Sequence, residues 1–230
     1  MVSSHNQFNP TNMRFIAKLS IGALLTVSAS TALAYFFGCR SRSAKYIPDK
    51  VFSSKHIDRN DAVFLRLKEK ARSIDAFARE NNYNSTRCFL IDMHVASGLK
   101  RFFVYNFKKD SIEAAGLVTH GSGSDNGTPE LSFSNTPNSN ATSVGRYRVG
   151  KSYYGKFGLA YKLYGLDETN NKAFDRFVVL HSHSCVPTGE VSPSPICESW
   201  GCPTVAPAFL SVLKNYIDNS SRPILMWIYY

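Results

Sequence analysis

The chain has 230 residues, 43% of them hydrophobic and 19% charged, and a formal net charge of +10. That length suits one generous domain plus a tail, and the composition excludes wholesale disorder, collagen-like repeats and coiled coil. Sixteen Phe and twelve Tyr against ten Pro point to a strand-rich core, while five scattered Cys exclude a disulfide-stapled miniature and leave at least one thiol unpaired.

Arg14 and Lys18 precede a mostly apolar run from Leu19 to Gly38, and Arg40, Arg42 and Lys45 follow it. A basic start, an apolar middle and the small-residue pattern Ala32-Leu33-Ala34 make a secretory signal with cleavage after Ala34. About 20 apolar residues also suffice to span a bilayer, so the same segment serves as an uncleaved anchor. Cys39 would be the lipoprotein residue, but Phe36 and Phe37 stand where such sites take Leu and a small residue. The expectation is an exported protein of the periplasm or cell envelope, with inner-membrane anchorage as the alternative. Part of the positive charge flanks this segment, which makes the net charge a weak argument for a nucleic-acid partner; none is expected.

Residues 39–57 are polar, basic and patternless, as in a linker. From Asp61 the apolar positions Val63, Phe64, Leu67, Ala71, Ile74, Phe77 and Ala78 recur at helical spacing, with Asn60 or Asp61 as cap and Asn81-Asn82 as stop. This segment, 58–84, is expected to pack on the domain that follows. Three strands come next, 87–94, 100–107 and 112–119, whose short turns imply an antiparallel meander. Residues 120–143, rich in Gly, Ser, Asn and Thr, form a long loop and a candidate substrate-side flap. Short strands are expected at 145–149 and 174–183, a helix around Phe209–Ile217, and a last strand over 224–230. His94 and His120 fall at strand ends as surface or loop residues. Asp92 reads as a paired polar group, and the aromatic sets around 102–107 and 153–157 as core and rim.

The chemistry concentrates between His181 and Cys202. An apolar strand delivers His181-Ser182-His183, and Ser199-Trp200-Gly201-Cys202-Pro203 precedes a helix. A thiolate is the reactive form of Cys, and an imidazole base or a helix start can favour it. Gly201 lets the backbone approach a substrate, so the amides of Gly201 and Cys202 could stabilise an oxyanion. His181, His183 and Cys185 also share one strand face with Cys197 and Cys202 following, ligand types that suit zinc. The spacing of the later pair is unlike a zinc knuckle, and the preferred reading needs no metal or other cofactor. Cys185 and Cys197 could instead form a disulfide in an oxidising compartment, leaving Cys202 free.

His181-Ser182, sixteen intervening residues and Ser199-Trp200-Gly201-Cys202 together resemble the signature of L,D-transpeptidase (YkuD-type) catalytic domains, which runs His-Gly, a variable stretch, then Ser or Thr, His, Gly, Cys. Ser143-Val144-Gly145-Arg146-Tyr147 is similar to that family's Thr-Pro-x-Gly-x-Phe/Tyr segment, and the likeness, that of a divergent branch, covers 85–230. The resemblance implies a mostly β domain with flanking helices, a β-sandwich-like catalytic fold acting on peptidoglycan stem peptides. It implies Cys202 as nucleophile forming a thioester and His181 as general base. The Ser182 backbone would orient that ring, Gly201 and Cys202 would donate to the oxyanion, and Ser199 would match the Ser/Thr. An amine from a second stem would resolve the thioester into a 3→3 cross-link, or water would do so in an L,D-carboxypeptidase. Two positions depart from the signature: Trp200 replaces His and stands as an aromatic substrate wall, and Ser182 replaces Gly. His183 also fits the spacing. His181 is favoured as base because it follows the apolar run directly, with His183 beside the substrate. Trp200 leaves a third reading open, a catalytically silent or zinc-containing wall-binding module.

Overall fold

The computed structural model describes residues 62–230, so the signal or anchor, the linker and the capping Asn60 or Asp61 lie outside the described residues. Among the described residues no helix is long and apolar enough to cross a membrane. Helix α1, Ala62–Glu80, buries Phe64, Leu67, Ala71, Ile74 and Ala78, the three-and-four spacing of a single apolar stripe. It stops where Asn82 turns left-handed (φ 60°) and Tyr83 N–H reaches back to the Ala78 carbonyl at 2.9 Å. That backbone bond satisfies a carbonyl the helix would otherwise leave bare.

Eight strands follow: β1 Arg87–Asp92, β2 Phe102–Asn106, β3 Ser111–Gly116, β4 Gly145–Gly155, β5 Gly158–Gly165, β6 Val179–Ser182, β7 Thr204–Val205 and β8 Leu225–Tyr229, with α2, Pro207–Asp218, between β7 and β8. They form one sheet in the order β3-β2-β1-β8-β4-β5-β6-β7. The expected meander is present: β1 pairs antiparallel with β2, and β2 with β3. The last strand, β8, inserts at the centre, parallel to β1 and antiparallel to β4. Covered on both faces, β1 buries Cys88, Phe89, Leu90, Ile91 and Asp92, so its alternation separates two cores rather than core from solvent.

One core holds Phe89, Ile91, Phe102, Tyr147, Leu180 and Met226 under α2, whose Phe209, Leu210 and Leu213 face it. The other holds Leu67, Ile74, Cys88, Leu90, Phe103 and Leu225 under α1. The fold is mostly β with flanking helices, and its layers come from one sheet that curls on itself. Its two edges meet where Val118, just past β3, bridges Val205 of β7, and Thr119 N–H donates to the Thr204 carbonyl at 2.9 Å.

Three sequence expectations change. The strand at 145–149 extends to Gly155 and returns as β5, a hairpin hidden by the register break between Val149 and Ser152, which interrupts alternation. Residues 174–178 turn rather than extend, with Phe177 N–H donating to the Phe174 carbonyl at 3.0 Å. The third strand ends at Gly116, where the Phe209 ring lies so close that a Cβ would sit 2.4 Å from it. Because Ile74 is fully buried, Ile74→Ala should lower unfolding free energy by ~2–4 kcal/mol, read by urea denaturation.

Candidate active site

Strands β6 and β7 run parallel, with His181 opposite Thr204 and Ser182 opposite Val205. Continuing that register backward sets Cys202 beside Val179, two residues before His181 on the same face. The short pairing thus brings the nucleophile candidate and the base candidate onto neighbouring segments, one diagonal step apart.

Cys202 is a free, partly exposed thiol; the other free cysteine among the described residues, Cys88, is buried. Its S–H points to the Phe177 carbonyl at a sulphur–oxygen distance of 3.8 Å. Burial raises the thiol above its ordinary value, while the Val179 amide and the Arg176 guanidinium pull the other way. The resting group is therefore a thiol poised beside, but not paired with, an imidazole.

His181 is buried, with Nδ1 3.1 Å from the Ser182 carbonyl and Nε2 3.0 Å from Thr204 Oγ1. A carbonyl can only accept, so Nδ1 carries the proton and Nε2 presents its lone pair toward the Thr204 hydroxyl. Burial lowers the pKa of His181, the hydrogen bond to the Ser182 carbonyl opposes that, and the neighbouring His183 lowers it a little further. The Phe157 ring stacks on the imidazole at 4.7 Å. His183 is exposed and its Nδ1 accepts the Cys185 amide at 3.2 Å. Cys185 is disulfide-bonded to Cys197, which takes both sulphurs out of the five-ligand zinc set. Among the described residues no three His, Cys, Asp or Glu side chains cluster as a metal site.

The turn that carries Cys202, the candidate nucleophile, is organised by Ser199. Its Oγ lies 2.6 Å from the Cys202 carbonyl and 3.2 Å from that of His120, and it accepts the Gly201 amide at 3.2 Å. The Gly201 N–H is thus engaged within the turn in this resting state. Gly201 has φ +103°, and a Cβ there would lie 2.8 Å from the Ala141 carbonyl, so the position requires glycine. Trp200, 75% exposed, stands out from this turn, with Phe177 and Phe157 also open to solvent.

Sequence reasoning missed several participants. Thr204 Oγ1 lies between His181 Nε2 and the Cys202 carbonyl, the latter at 3.4 Å. Thr119 Oγ1 donates to the same carbonyl at 3.2 Å. Thr119 reads as an ordinary residue of the expected 112–119 strand and Thr204 falls in no expected element; the signal available was the offset of Thr204 from Cys202. His120, expected as a surface or loop residue, lies in a loop but is buried: Arg101 Nη2 donates to its Nδ1 at 3.0 Å, and burial beside that cation pushes its pKa down to about 4. Arg101 is itself 1% exposed, held by the Val118 and Val95 carbonyls at 3.0 and 3.1 Å, and burial lowers it to about 10. Asp92 is paired, with Arg66 at 2.8 Å.

The YkuD_2 family, described as L,D-transpeptidase catalytic domain, matches residues 60–229. A solved L,D-transpeptidase from Xylanimonas cellulosilytica DSM 15894 (residues 123–326) is similar at 15% identity and a TM-score of 0.32, covering 67% of this chain and 68% of that one. A fused Zn-dependent amidase/peptidase/peptidoglycan-binding protein from Clostridium acetobutylicum ATCC 824 is similar at 14% identity and a TM-score of 0.33, covering 75% of this chain and 63% of its own. Among curated proteins, none matches the chain.

Proposed function

We propose, since this chain belongs to the L,D-transpeptidase catalytic-domain family, that it is an exported cysteine L,D-transpeptidase of the cell envelope working on peptidoglycan stem tetrapeptides. The observation that carries this reading is the free Cys202 thiol set one diagonal step from the buried, neutral His181 by the β6–β7 pairing. In the reaction, the Thr204 hydroxyl turns from His181 Nε2, Cys202 passes its proton to that nitrogen, and the sulphur attacks the carbonyl preceding the terminal D-alanine. The C–N bond breaks, D-alanine leaves as the amine with that proton, and a thioester remains. A side-chain amine of a second stem then attacks the thioester carbon, restoring the thiol and leaving a 3→3 amide. The Cys202 amide, and the Gly201 amide once it turns from Ser199, supply donors to the oxyanion. Trp200 and Ser199 border the bound stem, His183 lies at its rim, and the apolar N-terminal segment holds or exports the chain.

Incubation with a disaccharide tetrapeptide, read by mass, tests this. Loss of D-alanine with dimer formation is the expected result. Tripeptide without dimer would assign an L,D-carboxypeptidase in which water resolves the thioester. Unchanged substrate would favour the binding-module reading, to which the raised thiol and the engaged Gly201 amide lend weight.

A further inference from the structure

We propose that Arg176 is the positioning residue for Cys202: its guanidinium locks the 134–143 flap onto the nucleophile turn and sets a fixed positive charge beside the sulphur. Arg176 Nη1 donates to the Ser134 carbonyl at 2.8 Å and to Ser143 Oγ at 3.2 Å. Its Nη2 donates to Ser139 Oγ at 3.2 Å and to the Ala141 carbonyl at 2.7 Å. One fork thus gathers four acceptors from a single loop, a geometry that a lysine ammonium does not reproduce. The flap and the guanidinium converge on Gly201, where a Cβ would lie 2.8 Å from the Ala141 carbonyl and 3.4 Å from Nη2. Flap, cation and nucleophile turn meet at a point where no side chain fits.

The electrostatics follow from this packing. The titratable groups acting on the sulphur are Arg176 and Tyr147, with His181 two residues along the neighbouring strand from the Val179 that stands beside Cys202. Tyr147 is pushed up to about 12 by burial and its hydroxyl donates to the Ser143 carbonyl at 2.6 Å, so it is neutral at pH 7. His181 is neutral there as well, because burial lowers it. Among the described residues the charge favouring a Cys202 thiolate is therefore that of Arg176, and no imidazolium–thiolate pair forms at rest.

The inference rests on Cys202 being the nucleophile, but its test does not require turnover. In the full chain, the rate of Cys202 alkylation by iodoacetamide is followed against pH by peptide mass, with buried Cys88 as the internal unreactive thiol. R176Q should raise the midpoint by about one unit and slow alkylation at pH 7 roughly tenfold. R176K should keep the midpoint within about half a unit of wild type, since it keeps the charge while losing the fork. An unchanged midpoint in R176Q, or one raised as far in R176K as in R176Q, overturns the proposal. If R176Q does not fold, R176K decides alone: a midpoint about one unit or more above wild type overturns the proposal. A wild-type thiol that titrates as expected yet leaves the tetrapeptide untouched would sink the transpeptidase reading and leave this electrostatic assignment standing.

Discussion

Cys202→Ser should cut D-alanine release from a disaccharide tetrapeptide by at least about a thousandfold, because a hydroxyl stays protonated where a thiol can ionise. The exchange is nearly isosteric at a partly exposed position whose sulphur meets one carbonyl at 3.8 Å, so the melting temperature should stay within about 2 °C of wild type. Intact-protein mass after exposure to a carbapenem gives the sharper readout: a covalent adduct on wild type and none on the variant. Turnover near the wild-type rate in C202S would remove the sulphur from the mechanism.

His181→Ala should cost roughly a hundred- to ten-thousandfold in the acylation rate, the range expected for a general base, with substrate affinity little changed. His183→Ala should cost far less, because that ring is exposed and caps the turn at Cys185. The reverse order would exchange their roles. Since burial lowers the pKa of His181, the wild-type acid limb should have its midpoint below 6.5 and vanish in the variant. The same shift links to stability. The unfolded chain protonates His181 and His120 near pH 6.5, whereas the folded chain resists, His120 until about 4. Stability from this source is complete above pH 6.5 and drains as pH falls toward 4, so the melting temperature should decline across that window.

Much of this molecule was legible because local patterns coincide with tertiary ones. The Phe64–Ala78 stripe, the β1–β3 meander and the apolar run leading into His181 each carry their own pattern. What stayed hidden depends on contacts far apart in sequence. The insertion of β8 between β1 and β4 is set by burial on both faces, which alternation does not encode. The β4–β5 hairpin was obscured by a bulge and by exposed aromatics at its tip. At the site, the His181–Cys202 spacing stood out, whereas Arg176 and Thr204 act through geometry alone. The loop at His120 is legible but its burial is not, because nothing local announces that Arg101, nineteen positions earlier, is buried against it.

The two-residue β7 that closes the sheet lies immediately after Cys202-Pro203. So brief a rung is a weak place in the curled sheet, and an opening there would part the Cys202 segment from the strand that carries His181. Deuterium uptake at Thr119 and Val205 would then follow that seam apart from global unfolding, and, on the proposed reaction, the share of molecules in which the two segments are held together.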